Sequence, residues 1–236
     1  MTKSNNNKTK VKNDINKNLV LTLPAIDKLS GVVDIKDKKL CSAIFSNMLD
    51  IVNSGDGLAI KVPYKGKYQL AIKTFYPAAG NLIHLKSPSM LLQITHPNCS
   101  KYQMRFEYNP HYISEDGEFH LDLIFTELTG LDFYSFLYHA TFTRVDFCFN
   151  ILKSSLNDFF VRSKWSKNAQ SFFDKDGNLE SLYLGKSGNN QVTVYNKSKQ
   201  LNGSVGESDT IRVESRRKIK MNISELAKIE DRKSVV

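Results

Sequence analysis

The chain has 236 residues, 41% of them hydrophobic, enough for one large domain or two small ones with a filled core. Its 33 Lys and Arg against 24 Asp and Glu give a formal charge of +9, which favours a polyanionic partner, either nucleic acid or an anionic membrane surface. Three widely spaced cysteines without a CxxC pair argue against a disulfide framework or a structural zinc, and with no signal-like start and no apolar run near the roughly 20 residues of a membrane span, a cytoplasmic protein is expected.

Residues 1–18 are Lys- and Asn-rich with no aromatic residue, too little apolar surface to offset the entropy of ordering, and read as a flexible basic arm. Residues 37–54 place Leu40, Ile44, Met48, Ile51 and Val52 at helical spacing, with Gly55 as a stop. From 57 to about 110 short β-like runs (LAIKV, YQLAIKTF, LLQIT, YQMRFEY) separated by Gly, Pro and Asn predict an antiparallel meander. Further strands are expected at 119–125, 143–151, 180–185, 191–197 and 210–216. A helix is expected after Ser155, where Asp158 completes a capping box, and a last one from about Asn222. The stretch 101–150 is acidic and 151–200 basic, the pattern of a catalytic or metal centre flanked by phosphate-binding surface. The domain is expected to span 19–236, with 19–110 as a candidate DNA-binding half and 111–236 as a catalytic half.

In TRVDFCFN, alternation separates Val145, Phe147 and Phe149 from Arg144, Asp146 and Cys148; in IRVESR it separates Ile211 and Val213 from Arg212, Glu214 and Arg216. If the two strands are neighbours, Asp146 and Glu214 can share a hard divalent cation. Equally, Arg144 and Arg212 can pair with the acids in a cross-strand ladder that binds nothing. The same alternation puts Gln191, Thr193, Tyr195 and Lys197 on one face. A phenol with a nearby cation suits attack on a phosphodiester, although a lone strand tyrosine also serves simply as packing. His120 and Asp122 share a face if 119–125 is a strand, which makes them further metal-ligand candidates. His84, His96, His111 and His139 show no partner spacing and read as structural. Residues 184–190 lack the spacing of a phosphate-binding loop and read as a hairpin turn at 188–190.

The order of these segments, TRVDFCFNI, then SLYLGKSGNNQVTVYNKSKQLN, then TIRVESRRK, resembles the replication initiators of rolling-circle plasmids of Gram-positive bacteria and the related relaxases and filamentous-phage initiators. The resemblance covers roughly residues 104–218, including MRFEYNP. It departs from the family pattern at Asn196, where an acid is common, and in having no paired histidines. It implies an α+β fold, a mostly antiparallel sheet with helices on one side. It also implies an enzyme that nicks one strand of origin DNA, single-stranded or cruciform, through a 5′-phosphotyrosyl link, with Mg²⁺ or Mn²⁺ as cofactor. By the same resemblance Tyr195 is the nucleophile, Lys197 lies beside the scissile phosphate, and Asp146 and Glu214 are metal-site acids. Arg144, Lys186, Lys199, Arg212, Arg216 and Arg217 are expected to support the acids or bind DNA. A host helicase, a second copy of the chain, and a C-terminal segment beyond residue 236 belong to the same set of expectations. The competing classes are a non-catalytic DNA-binding replication or regulatory protein and an RNA-binding protein.

Overall fold

The computed structural model describes residues 20–55, 57, 59–64, 66–74, 90–110, 113, 115–159, 161, 168–186, 190–200 and 210–231, with backbone alone at 199–200 and 229–231. The basic arm expected at 1–18, most of the hairpin turn at 188–190, and His84 and His111 lie outside the described residues.

In chain order the elements are β1 (Val20–Leu21), β2 (Ala25–Asp34), α1 (Lys38–Asn53), β3 (Ala59–Val62), β4 (Tyr68–Thr74), β5 (Met90–Thr95) and β6 (Gln103–Tyr108). There follow α2 (Glu115–Thr129), α3 (Phe133–Tyr138), β7 (Thr141–Leu152), β8 (Ala169–Phe173), β9 (Leu179–Leu184), β10 (Gln191–Asn196), α4 (Lys197–Gln200), β11 (Thr210–Met221) and α5 (Ile223–Asp231). The strands form one antiparallel sheet ordered β3-β4-β5-β6-β2-β7-β11-β10-β9-β8, with β1 paired to β7 beside β2. The α+β fold with a mostly antiparallel sheet is as the sequence reading anticipated. The meander is present as β3 to β6, and the sheet crosses residue 110 without a break, because β2 pairs with β6 on one side and β7 on the other.

One face of the sheet is apolar. Met104, Phe106, Tyr108, Leu92, Ile94, Phe142 and Val145 pack there against Cys41, Ile44 and Met48 of α1, Leu121, Ile124 and Phe125 of α2, Phe133 and Phe136 of α3, and Leu226 of α5. A second cluster continues the same face under the far strands, where Leu182, Leu184, Val194 and Ile211 bury Leu156. Asp37 caps α1 by accepting from the Leu40 N–H at 2.8 Å. Gly31 is required by close approach: a Cβ there would lie 2.5 Å from the Phe106 ring, which fills the space above β2.

Two predicted elements differ. Residues 119–125 are helical, not extended: Leu121, Ile124, Phe125 and Leu128 recur at helical spacing once the window is lengthened, and Glu115, Asp116 and Glu118 in the first turn complement the helix dipole. The helix expected after Ser155 is a single 3-10 turn, Leu156–Asp158. Its capping box forms, but Phe159 is already extended, and Phe159 and Val161 pack against the second cluster. Strands β1, β2 and β8 and helices α3 and α4 were not anticipated.

Candidate active site on the polar face of the sheet

The opposite face is polar because strand alternation turns one residue in two away from the core. Register aligns these residues in rows. Asp146, Cys148 and Asn150 of β7 lie opposite Arg216, Glu214 and Arg212 of β11. Glu214 and Arg212 lie opposite Thr193 and Tyr195 of β10, and these opposite Tyr183 and Ser181 of β9. The strands that carry Asp146 and Glu214 are therefore neighbours.

Tyr195 reaches diagonally across its pair, and its phenol donates to Glu214 Oε1 at 2.6 Å. Burial, then the bond to Glu214 and its charge, push the Tyr195 phenol well above the ordinary tyrosine range, against the opposing pull of Arg212. Burial also pushes the Glu214 carboxyl up, with nearby Asp27 and Asp146 adding to burial and the Tyr195 hydrogen bond opposing it. Tyr183, Tyr195, Glu214 and Arg216 line a cleft of about 360 Å³.

Asp146 is almost fully buried and is held by arginines. Arg144 Nε donates to Oδ1 at 2.7 Å, Arg144 Nη2 binds Oδ2, and Arg216 Nε stands 3.6 Å from Oδ2. Burial disfavours the Arg144 charge, but Asp146 and Glu107 more than offset it and raise the guanidinium's pKa. The network continues outward on β6, where Glu107 takes Lys28 at 3.0 Å and Arg105 at 3.0 Å. These cations hold the Glu107 carboxyl below the usual carboxylate range although burial acts the other way. Arg212 does not pair with Glu214 as a simple ladder would have it. Its Nη1 donates to Asp27 at 2.9 Å and its Nε to Asn150 at 3.0 Å.

A second cleft of about 330 Å³, on the β2 side of β11, is lined by Asp27, Cys148, Asn150, Lys197 and Arg212. Lys197 belongs here. Strand β10 ends at Asn196 and Lys197 opens α4, so alternation does not carry it into the Tyr195 cleft.

His120 and Asp122 sit two apart on α2, where a helix turns them to different sides, so the shared face expected of a strand is absent. His120 Nδ1 lies 2.6 Å from the Asp116 carbonyl and Asp122 accepts from the Phe133 N–H at 3.0 Å. Among the described residues no group of three or more His, Cys, Asp or Glu is gathered to hold a metal ion. The donors present do not make a cation cage: both Asp146 oxygens are engaged by guanidinium groups, and Glu214 Oε1 holds the phenol.

Of the remaining basic candidates, Lys186 is exposed just past β9, and the Lys199 side chain lies outside the described residues. Arg217 is exposed but opposite Val145, which turns it to the helix side; Lys218, opposite Arg144, extends the polar face instead. The sequence reading missed Asp27, Lys28, Asn150 and Glu107. Asn150 was available, since it continues the alternation of Asp146 and Cys148, whereas Asp27 lies between two paired residues, Ile26 and Lys28, at a register shift of an unanticipated strand.

Among the described residues no helix is long and apolar enough to cross a membrane. No family model matches the chain, and no curated protein matches it. The fold is similar to a solved structure of the rolling circle replication initiator protein from Geobacillus stearothermophilus, with a TM-score of 0.50 and 17% identity over 89% of this chain and 78% of that one.

Proposed function

We propose that this chain is a rolling-circle replication initiator that nicks one strand of origin DNA with Tyr195 as the nucleophile. The observation that carries the reading is the 2.6 Å hydrogen bond from the Tyr195 phenol to Glu214, beside Arg216 in a cleft on the polar sheet face. The likeness of the fold to a rolling circle initiator supports it.

The phenol is shifted upward, so it does not react as a standing phenolate. Its proton passes to Glu214 Oε1 as Oη attacks the phosphorus. The new Oη–P bond replaces the P–O3′ bond, the 3′ oxygen leaves and takes a proton from water, and the 5′ phosphate stays on Tyr195. Arg216 lines the same cleft and offsets charge that develops on the phosphoryl oxygens. The reverse sequence re-ligates the strand. Glu214 acts here as base, a role its hydrogen bond with the Tyr195 phenol fits better than the metal-ligand role the resemblance implies.

The test is nicking of supercoiled plasmid carrying the origin, with detection of protein covalently joined to the 5′ end, in Mg²⁺, Mn²⁺ or EDTA. Wild-type chain gives nicked circles and the adduct, and Tyr195→Phe gives neither. Adduct formation by Tyr195→Phe would move the nucleophile, Tyr183 being the next tyrosine in the cleft. A non-catalytic DNA-binding protein is the second reading, favoured by the arginine pairing of Asp146, which by itself serves packing of the polar face. Under that reading wild-type chain retards DNA but leaves it intact.

A further inference from the structure

We infer that Phe172 and Tyr183 form a stacking platform for an unpaired DNA base at the rim of the Tyr195 cleft; the inference rests on the initiator reading and names the form of DNA that its site takes. Among the described residues strand β8 is the edge of the sheet, paired with β9, and every one of its residues is exposed. Edge strands are ordinarily guarded by charge, proline or a bulge. This one has a register shift between Phe172 and Phe173 and offers both rings to solvent, Phe172 49% exposed and Phe173 62% exposed.

Register decides where Phe172 points. It lies opposite Ser181, which lies opposite Tyr195, so Phe172 shares the face of the nucleophile two strands away, about 10 Å at ordinary strand spacing. Tyr183, opposite Thr193, stands between them and lines the cleft itself. The two rings meet edge to face, with centroids 5.2 Å apart and planes at 74°. Such a pair uses one face of one ring and leaves flat aromatic surface for another partner.

The occupant follows from what surrounds the rings. Arg216 lines the cleft and Lys186 is exposed just beyond β9, so cations that suit phosphates lie beside aromatic surface that suits a base. That combination is how sequence-tolerant single-strand binding works. A duplex keeps its bases stacked on one another, so the base that reaches Phe172 is unpaired.

The experiment compares full-length wild type, Phe172→Ala and Phe172→Trp, each checked by thermal melting, which the exposed position should leave unchanged. Binding is titrated with a fluorescent oligothymidylate, with a strand carrying 2-aminopurine, and with duplex, over a range of salt. Phe172→Ala is expected to weaken single-strand binding about tenfold and to relieve 2-aminopurine quenching, with the salt slope and duplex affinity unchanged. Phe172→Trp is expected to restore both. Single-strand affinity of Phe172→Ala within about twofold of wild type overturns the platform even if the Tyr195 adduct still forms, and so leaves the initiator reading standing. Conversely, Phe172-dependent binding by a wild-type chain that never nicks fails the initiator reading alone. A wild-type dimer that Phe172→Ala converts to monomer in sedimentation, with DNA binding intact, assigns the edge to a second copy and also overturns the proposal.

Discussion

Under the proposed nicking reaction, the proton on Tyr195 governs the chemistry at the residue scale. Because burial and Glu214 raise the phenol, nicking needs Glu214 ionised to receive that proton. Glu214→Gln keeps an acceptor for the hydrogen bond but removes the base, and should lower the nicking rate about 10²- to 10⁴-fold with the fold intact. Burial raises the Glu214 carboxyl, so the acid limb of the rate profile should lie above the ordinary carboxylate value and disappear in Glu214→Gln. The sign for stability is opposite: a raised carboxyl favours the fold in its protonated form, and that contribution is lost as pH rises through the folded value. Near neutrality Glu214→Gln should therefore melt no lower than wild type. Asp146 behaves differently. Asp146→Asn leaves Arg144 and Arg216 without their carboxylate and should cost roughly 3 kcal/mol in urea unfolding, at the low end for breaking a buried pair because Arg216 is 34% exposed. Unchanged stability with lost nicking would return Asp146 to the metal-ligand role.

At the scale of elements, β2 matters most, because it joins the meander to the strands that carry the candidate site. It runs between β6 and β7 and delivers Asp27 to Arg212 and Lys28 to Glu107. Its seating depends on Gly31, opposite both Phe106 and Phe142. Gly31→Ala places a methyl 2.5 Å from the Phe106 ring and should destabilise by about 1–3 kcal/mol. Adding Phe106→Leu should return part of that loss, and a double-mutant cycle with no coupling would show that the two do not compete for space.

Over the whole molecule the +9 charge and the rows of Arg and Lys on the polar face predict DNA affinity that falls steeply with salt, because each neutralised phosphate releases counterions. Arg216→Gln should reduce the slope by about one unit and weaken all sequences alike. Affinity that stays flat between low and physiological salt would argue against a phosphate-tracking face. Preference for RNA over DNA in competition at equal salt would favour the RNA-binding class.

What the sequence determined by itself is what local periodicity encodes. Helix α1, the meander β3 to β6, and the alternation that puts Asp146, Glu214 and Tyr195 on polar strand faces were all readable, since each depends on residues within one element. Only the tertiary structure decided who pairs with whom. Register shifts after Ile26 and Ser30 break the period of β2 and hid it, and with it Asp27, whose partner Arg212 is 185 residues away. A seven-residue window could not separate strand from helix at 119–125, and the longer apolar spacing that settles it has meaning only where α2 meets the core. The same limit applies to the acids. Alternation gives the side of the sheet, but whether Asp146 meets a cation or a guanidinium depends on Arg144 and Arg216 converging across β7 and β11, which is a property of packing between strands and not of either strand alone.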